Sequence, residues 1–341
     1  MGKTALILVL GASLLVSFFS LRIQSNSKEG LSSTINMYSS TQARLIANSG
    51  VEVYLEKMRR DKTLNSGTFL NNNMLDGKYD IYITGPDSAL QIRSVGRFMD
   101  VIHETIVDAS REPVPFPTAP SALYVSTAAI QNVKMNGNFT VSGFNHDKDG
   151  NLINNSGPNI VPGIAVDNLA DSIAIRTNLG NNALNNITGL GGIPSIRVKP
   201  TGINWKEYSD LLAFSADLTL GTGIYNGGEL GTYNNPKITL VNGDATFNGN
   251  CTGSGIMIVN GNLTIKGTFD FRGIIVAYKE ANIKTDLNGN GKVIGSLIVS
   301  GNSVDMNISN GTFKALYSKE TLDHTRLNLK SARFTIASWW E

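Results

Sequence analysis

The chain has 341 residues, 29 basic against 27 acidic, for a net charge of +2. These charges are spread evenly along the chain, which argues against nucleic-acid binding, since that needs a concentrated basic face. Only 16% of the chain is charged, below the roughly 25% of ordinary soluble domains. Its 35 glycines, with abundant Asn, Ser and Thr, suit short strands joined by tight corners. The single cysteine, Cys251, rules out an intramolecular disulfide framework and reads as a small buried hydrophobe.

Residues 4–21 carry no charge and are bracketed by Lys3 and Arg22. As a helix they span about 27 Å, enough for the hydrocarbon of a bilayer. A cleavable signal is the alternative, but no small-x-small site followed by a domain start comes after them. Instead Ile35, Tyr38, Gln42, Leu45, Ser49 and Val53 recur at steps of three and four, with Leu55 and Met58 extending the stripe. Ser-rich residues 22–40, interrupted by Gly30, are where the helix is expected to be weakest.

The start Gly2-Lys3-Thr4-Ala5-Leu6-Ile7-Leu8 and the continuation Ala43-Arg44-Leu45-Ile46-Ala47-Asn48-Ser49-Gly50-Val51-Glu52 resemble a type IV pilin-type subunit, in particular the PilX-like minor pilins. The resemblance implies cleavage by a prepilin peptidase between Gly2 and Lys3. It also implies packing of Ala5, Leu6, Ile7, Leu8, Val9, Leu10, Leu14, Leu15, Val16, Phe18 and Phe19 in the membrane and then in a filament core. The implied partners are other pilin-like subunits and an inner-membrane assembly platform. The implied route runs from the inner membrane to an extracellular filament or the cell surface. Ile7 stands where many members have glutamate, a departure tolerated in some minor, tip-located subunits.

After this helical region (1–62), residues 77–84 alternate polar with β-branched or aromatic side chains, a half-buried strand. Gly85-Pro86-Asp87 is a turn, and residues 89–93 and 98–107 read as two more strands. This meander, within 63–112, resembles the small sheet that follows the helix in the same pilin group. Pro113, Pro115, Pro117 and Pro120 then mark an extended linker over 113–120.

The remainder, 121–341, carries a repeat. Met135-Asn136-Gly137-Asn138, Val241-Asn242-Gly243-Asp244, Val259-Asn260-Gly261-Asn262 and Val299-Ser300-Gly301-Asn302 each place an apolar residue before a polar turn and a new strand. The spacing, near 18 to 20 residues with a degenerate copy at 276–283, suits one coil of a β-helix. Apolar runs at 255–259, 273–277 and 295–299 read as strands buried in the stack, and the asparagines as ladders between coils. Residues 155–235 break the period and read as an insertion or cap, with a short helix from Trp205. The tail ending in Trp339 and Trp340 reads as a terminal cap. The expected fold class is therefore α+β overall and mainly β: a long N-terminal α-helix, a pilin-like β-meander, then a right-handed β-helix.

Asp147, Asp149 and Asn151 set alternate oxygens around the Gly150 turn, which makes calcium the one cofactor the sequence raises. Asx-Gly turns at coil corners account for the same residues, and for Asp286-Leu287-Asn288-Gly289, without a metal. His103, His146 and His324 lack partners at ligand spacing, and no nucleophile or phosphate-loop motif stands in its required context. The expected function is a non-enzymatic structural subunit of a type IV pilus-like or type II secretion-like filament. Two alternatives stay open: a membrane-anchored β-helical protein that binds or cleaves polysaccharide, and a bactofilin-like polymerising scaffold.

Overall fold

The computed structural model describes residues 2–61, 63–113, 115–309, 311–329 and 332–341, with the side chains of residues 3–9 outside that description. The chain forms two compact units: the first holds the helix, residues 63–112 and the tail from Phe334, the second residues 113–333.

The first unit is built on α1 (Gly2–Arg60), followed by β1 (Gly67–Met74), β2 (Gly77–Thr84), β3 (Leu90–Phe98) and β4 (Val101–Pro113). The four strands form an antiparallel meander. The strand Ala332–Trp340 joins it beside β4 as a fifth. The tail is thus part of this unit and not a cap on the solenoid: Phe334 and Trp339 pack on its core. Ser338 donates to Asp108 at 2.7 Å, and Glu341 accepts from Asn48 on α1 at 2.6 Å.

Helix α1 runs unbroken through its Ser-rich middle. A helical glycine costs only about 1 kcal/mol relative to alanine. Thr34 and Thr41 return their hydroxyls to the Gly30 and Met37 carbonyls, so neither competes with the helix. The side of α1 that meets the sheet is Ala43, Ile46, Ala47, Gly50, Val51, Tyr54, Leu55 and Met58. It is offset by about one residue from the stripe the periodicity suggested; Ile35, Tyr38 and Leu45 stay exposed. Small side chains decide the offset. A Cβ on Gly96 of β3 would lie 2.4 Å from the Ala43 carbonyl oxygen, and one on Gly50 would lie 2.7 Å from the Tyr79 ring. Helix and sheet therefore meet where neither has bulk.

Two buried charges hold this unit's edges. Arg111 donates to Asp87, to Asn65 at 2.6 Å and to the Leu64 carbonyl at 2.8 Å. Asp80, 4% exposed, pairs with Arg97 at 2.6 Å and accepts from the Asn71 amide at 2.8 Å. Burial raises the Asp80 carboxyl pKa, but the Asn71 amide and Arg97 outweigh it and hold the group below its ordinary value. A depressed folded pKa gives stability that is present above the unfolded value of ~3.9 and lost as pH falls through the folded one. Acidification below about pH 4 should lower the melting temperature of this unit, and Asp80→Asn should flatten that dependence, read by circular dichroism melts across pH.

The second unit is a β-solenoid of parallel strands arranged on three faces. On the first face, 237–241, 255–259, 273–277 and 295–299 stack in register. The second face stacks 245–247, 263–265, 285–287 and 306–308. The third stacks 228–230, 251–253, 269–271 and 291–293. Leu240, Ile258, Val276 and Ile298 fall in one column, so successive coils advance by 18, 18 and 22 residues. The stack order then departs from chain order. Residues 297–299 pair with 123–125, the first strand of the body, which in turn pairs with 164–166 and then 196–198. The coils by which the chain enters and leaves the body are therefore neighbours.

The interior holds Phe247, Phe269, Phe271 and Phe313 among aliphatic side chains and Cys251. The first face is apolar on its outer side as well, which explains its unalternating runs. Ile238, Ile256, Ile258, Ile274 and Ile298 are covered there by Trp205, Tyr208 and Leu212 of an α-helix (Trp205–Ala213) and by Leu322 of another (Lys319–Asn328). Phe116 and Ala119 of the proline-rich segment pack on the same cluster, and the Pro115 carbonyl accepts from Tyr208 at 3.1 Å. That segment is a covering strap, not a free linker. In the region that broke the period, the helices Leu169–Asn178 and Asn181–Asn185 set Ile175 and Ala183 into the interior and plug one end of the stack. The strand Leu218–Tyr225 forms the coil at the other end.

Candidate assembly helix and sites on the body

From Leu10 on, the apolar part of α1 is uncovered among the described residues. Leu10, Leu14, Leu15, Val16, Phe18 and Phe19 are each more than half exposed, as are Leu21 and Ile23. Burial begins only at Ser39, where the sheet takes over. Leu10, Leu14, Phe18 and Leu21 follow the three-to-four spacing of one helical stripe, with Leu15 and Phe19 widening it. The remaining residues of the expected packing set, Ala5, Leu6, Ile7, Leu8 and Val9, and Lys3 of the expected processing point, have side chains outside the described residues. Gly2 is the first described residue of the helix. Among the described residues no helix is long and apolar enough to cross a membrane.

The calcium candidate closes on itself. One Asp147 carboxylate oxygen accepts the Asp149 and Asn151 amides at 2.9 and 2.8 Å, and the other accepts the Asn151 side chain at 2.9 Å. Those hydrogen bonds, the Asn151 side chain first, hold Asp147 below its ordinary pKa. Asp149 is already paired with Lys148 at 2.7 Å and Arg272 at 3.7 Å. Arg272 and Lys292 also donate to the Lys148 and Asp149 carbonyls. Asp147, Asp149 and Asn151 thus form an Asx turn pinned to the third face by basic side chains, a set that does not fit a divalent cation. Among the described residues no group of three or more His, Cys, Asp or Glu could hold a metal ion.

The asparagine ladders are present between coils. Asn262 donates to Asp244 at 2.9 Å and accepts from the Lys284 amide at 2.8 Å. Asn307 donates to Asp286, Ser309 to Asn288 and Thr312 to Asn290, at 2.7 to 2.9 Å. The Asp286-Asn288 motif is thereby a rung, not an ion loop. The fold also brings together what the sequence kept apart. Asp286 and Asp305 line one groove of ≈ 400 Å³ on the second face, with Lys134, Lys284, Asn132 and Asn307. Asp305 accepts from Asn132 at 3.1 Å, a pairing across 173 residues that spacing alone does not reveal.

No protein-family model and no curated protein sequence matches the chain. Among solved structures it is similar to the crystal structure of the competence-associated pilin ComZ from Thermus thermophilus. The match has 11% identity and a TM-score of 0.24, and covers 89% of this chain and 97% of that one.

Proposed function

We propose that the chain is a non-enzymatic structural subunit of a pilus-like or secretion-like filament, assembled through α1. The observation that carries this reading is the contrast along one helix. Residues 43–58 bury their face on the sheet, whereas the stripe from Leu10 to Ile23 stays more than half exposed among the described residues. An apolar surface of that extent calls for cover, and a bundle of like helices supplies it at the 3–4 spacing that packs helices together. Before assembly the same stripe would sit in the inner membrane, and the partners would be other pilin-like subunits, a prepilin peptidase acting after Gly2 and an inner-membrane platform. The solenoid would then be carried outside as the exposed part of the subunit.

The test is mass spectrometry of the mature N-terminus in material sheared from the cell surface, with microscopy of the same fraction. A chain beginning at Lys3 within filaments supports the reading. A chain beginning after residue 21 would make the opening segment an ordinary signal and overturn it.

A further inference from the structure

Two hairpin tips at the same end of the first unit's sheet carry residues that their turns disfavour. Leu75 and Met99 open the two-residue loops of the β1–β2 and β3–β4 hairpins, with φ of +49° and +52°. Such loops put glycine, asparagine or aspartate at these positions, because a larger side chain there is strained. Both side chains nonetheless stand out in solvent, 56% and 70% exposed. Strain that holds apolar side chains outward points to a surface that is covered when the protein works.

Beside both tips runs a groove of ≈ 480 Å³, lined among others by Leu70, Asp76, Lys78 and Met99. Leu70 is exposed as well, and the exposed Asp76 and Lys78 form no ion pair among the described residues. The groove lies against residues 39–46 of α1. Ser39 donates to the Met99 sulfur at 3.4 Å, and a Cβ on Gly77 would lie 2.5 Å from Ile46. A membrane does not fit this place. The apolar run stops at Arg22, and Ser39 stands about 25 Å further along the helix, beyond the reach of the hydrocarbon.

The chain itself holds a complementary surface. Lys28, Leu31 and Ile35 follow one another at steps of three and four, so they share a stripe of α1, and all three are exposed. Lys28 and its neighbour Glu29 are the only charged residues between Arg22 and Arg44. Neither forms an ion pair among the described residues, and together they match Asp76 and Lys78 in sign. With two helices pointing the same way, a shift of roughly 15 Å along the axis brings residues 28–35 of one level with the groove of the other. We propose that the groove seats this stretch of α1 from a second copy of the chain. Lys28 then meets Asp76, Glu29 meets Lys78, and Leu31 and Ile35 pack under Leu70, Leu75 and Met99. This docking rests on the assembly through α1 proposed above and names the surface that receives the neighbouring helix.

The experiment compares sheared filaments from the parent, Lys78→Glu, Glu29→Lys and the two changes combined. Each single reversal sets like charges against each other and should lower the yield about tenfold; the combination should return it close to the parent level. Lys78 is an exposed strand residue beside Arg97, so its reversal leaves the fold intact, as melts should show. Met99→Gly, which suits the φ of +52°, should hold or raise the melting temperature and still lower the yield. In a second arm, Glu29→Cys and Lys78→Cys in one chain should give bismaleimide-linked oligomers that neither change gives alone; the native Cys251 is buried. Filaments with neither charge rescue nor cross-link overturn the groove and leave assembly through α1 standing. Absence of both filaments in the parent and cross-links in the double-cysteine chain overturns the two together.

Discussion

Gly273→Val is expected to destabilise the solenoid, lowering its thermal midpoint by about 10 °C. Gly255, Gly273 and Gly295 stack in register at one corner, each with a backbone φ between +126° and +136°. A side chain at such a φ costs roughly 1–3 kcal/mol. The same residue has no room for one: a Cβ on Gly273 would lie 2.0 Å from the Gly255 carbonyl oxygen. That neighbour is backbone of the next coil, tied into the ladder, and cannot retreat as a flexible side chain would. Overpacking adds about 1–3 kcal/mol more, and a unit of this size loses roughly 2–4 °C per kcal/mol. Gly221→Ala is the control, since nothing lies within 4 Å of the Cβ it would add. Circular dichroism melts of the two variants decide the matter. A Gly273→Val midpoint within about 2 °C of the parent would mean that the corner is not packed as described.

The same corner shows how much of the body could be read from its sequence. The apolar repeat starts Val241, Val259 and Val299 do stack, with Ala277 in the same column, as the degenerate copy at 276–283 implied. The interval of 40 divides as 18 and 22, because the chain takes eight residues from Ala277 to Thr285 where the neighbouring coil takes four from Val259 to Leu263. A sharper signal lies in the glycines. Glycines stand at 243, 249, 255, 261, 267 and 273, six residues apart, one for each corner of a three-faced coil. A backbone carbonyl of the adjacent coil fills the place of the missing Cβ at 261, 267 and 273. Met135-Asn136-Gly137-Asn138 resembles the other copies only locally. Met135 pairs with Ile308 on the second face, one corner further round.

What remained illegible is non-local. Periodicity finds coils that follow one another in the chain, but nothing in the residues around Ile298 announces Tyr124 as its neighbour. The tail strand is the same case. Its alternation is visible, while its partner, β4, lies more than two hundred residues earlier. On α1 the difference is one of phase. Hydropathy favoured Ile35, Tyr38 and Leu45, but Ala43, Ala47 and Gly50 sit against the sheet because close approach selects small residues over apolar ones.

Leu14→Lys should abolish assembly and leave the fold of both units intact. Leu14 is 66% exposed and is not part of the core between helix and sheet, so that core loses no packing when it changes. Within a helix bundle or a bilayer the cost is different in kind. A lysine at the centre of an apolar helix costs ~2.5–3.5 kcal/mol on insertion scales, and each 1.4 kcal/mol is a factor of ten in an equilibrium. Because every subunit placed this way would carry that penalty, sheared filament material should fall by roughly a hundredfold. Leu152→Lys, at a 54% exposed position on the body, carries the same new charge without meeting another helix and should assemble normally. Quantitative blotting of the sheared fraction, with melts of both variants, separates assembly from stability. Filaments at parental levels in Leu14→Lys would show that the uncovered stripe has another purpose. Loss in both variants would point to charge alone. Loss confined to Leu14→Lys would tie assembly to the exposed apolar stripe.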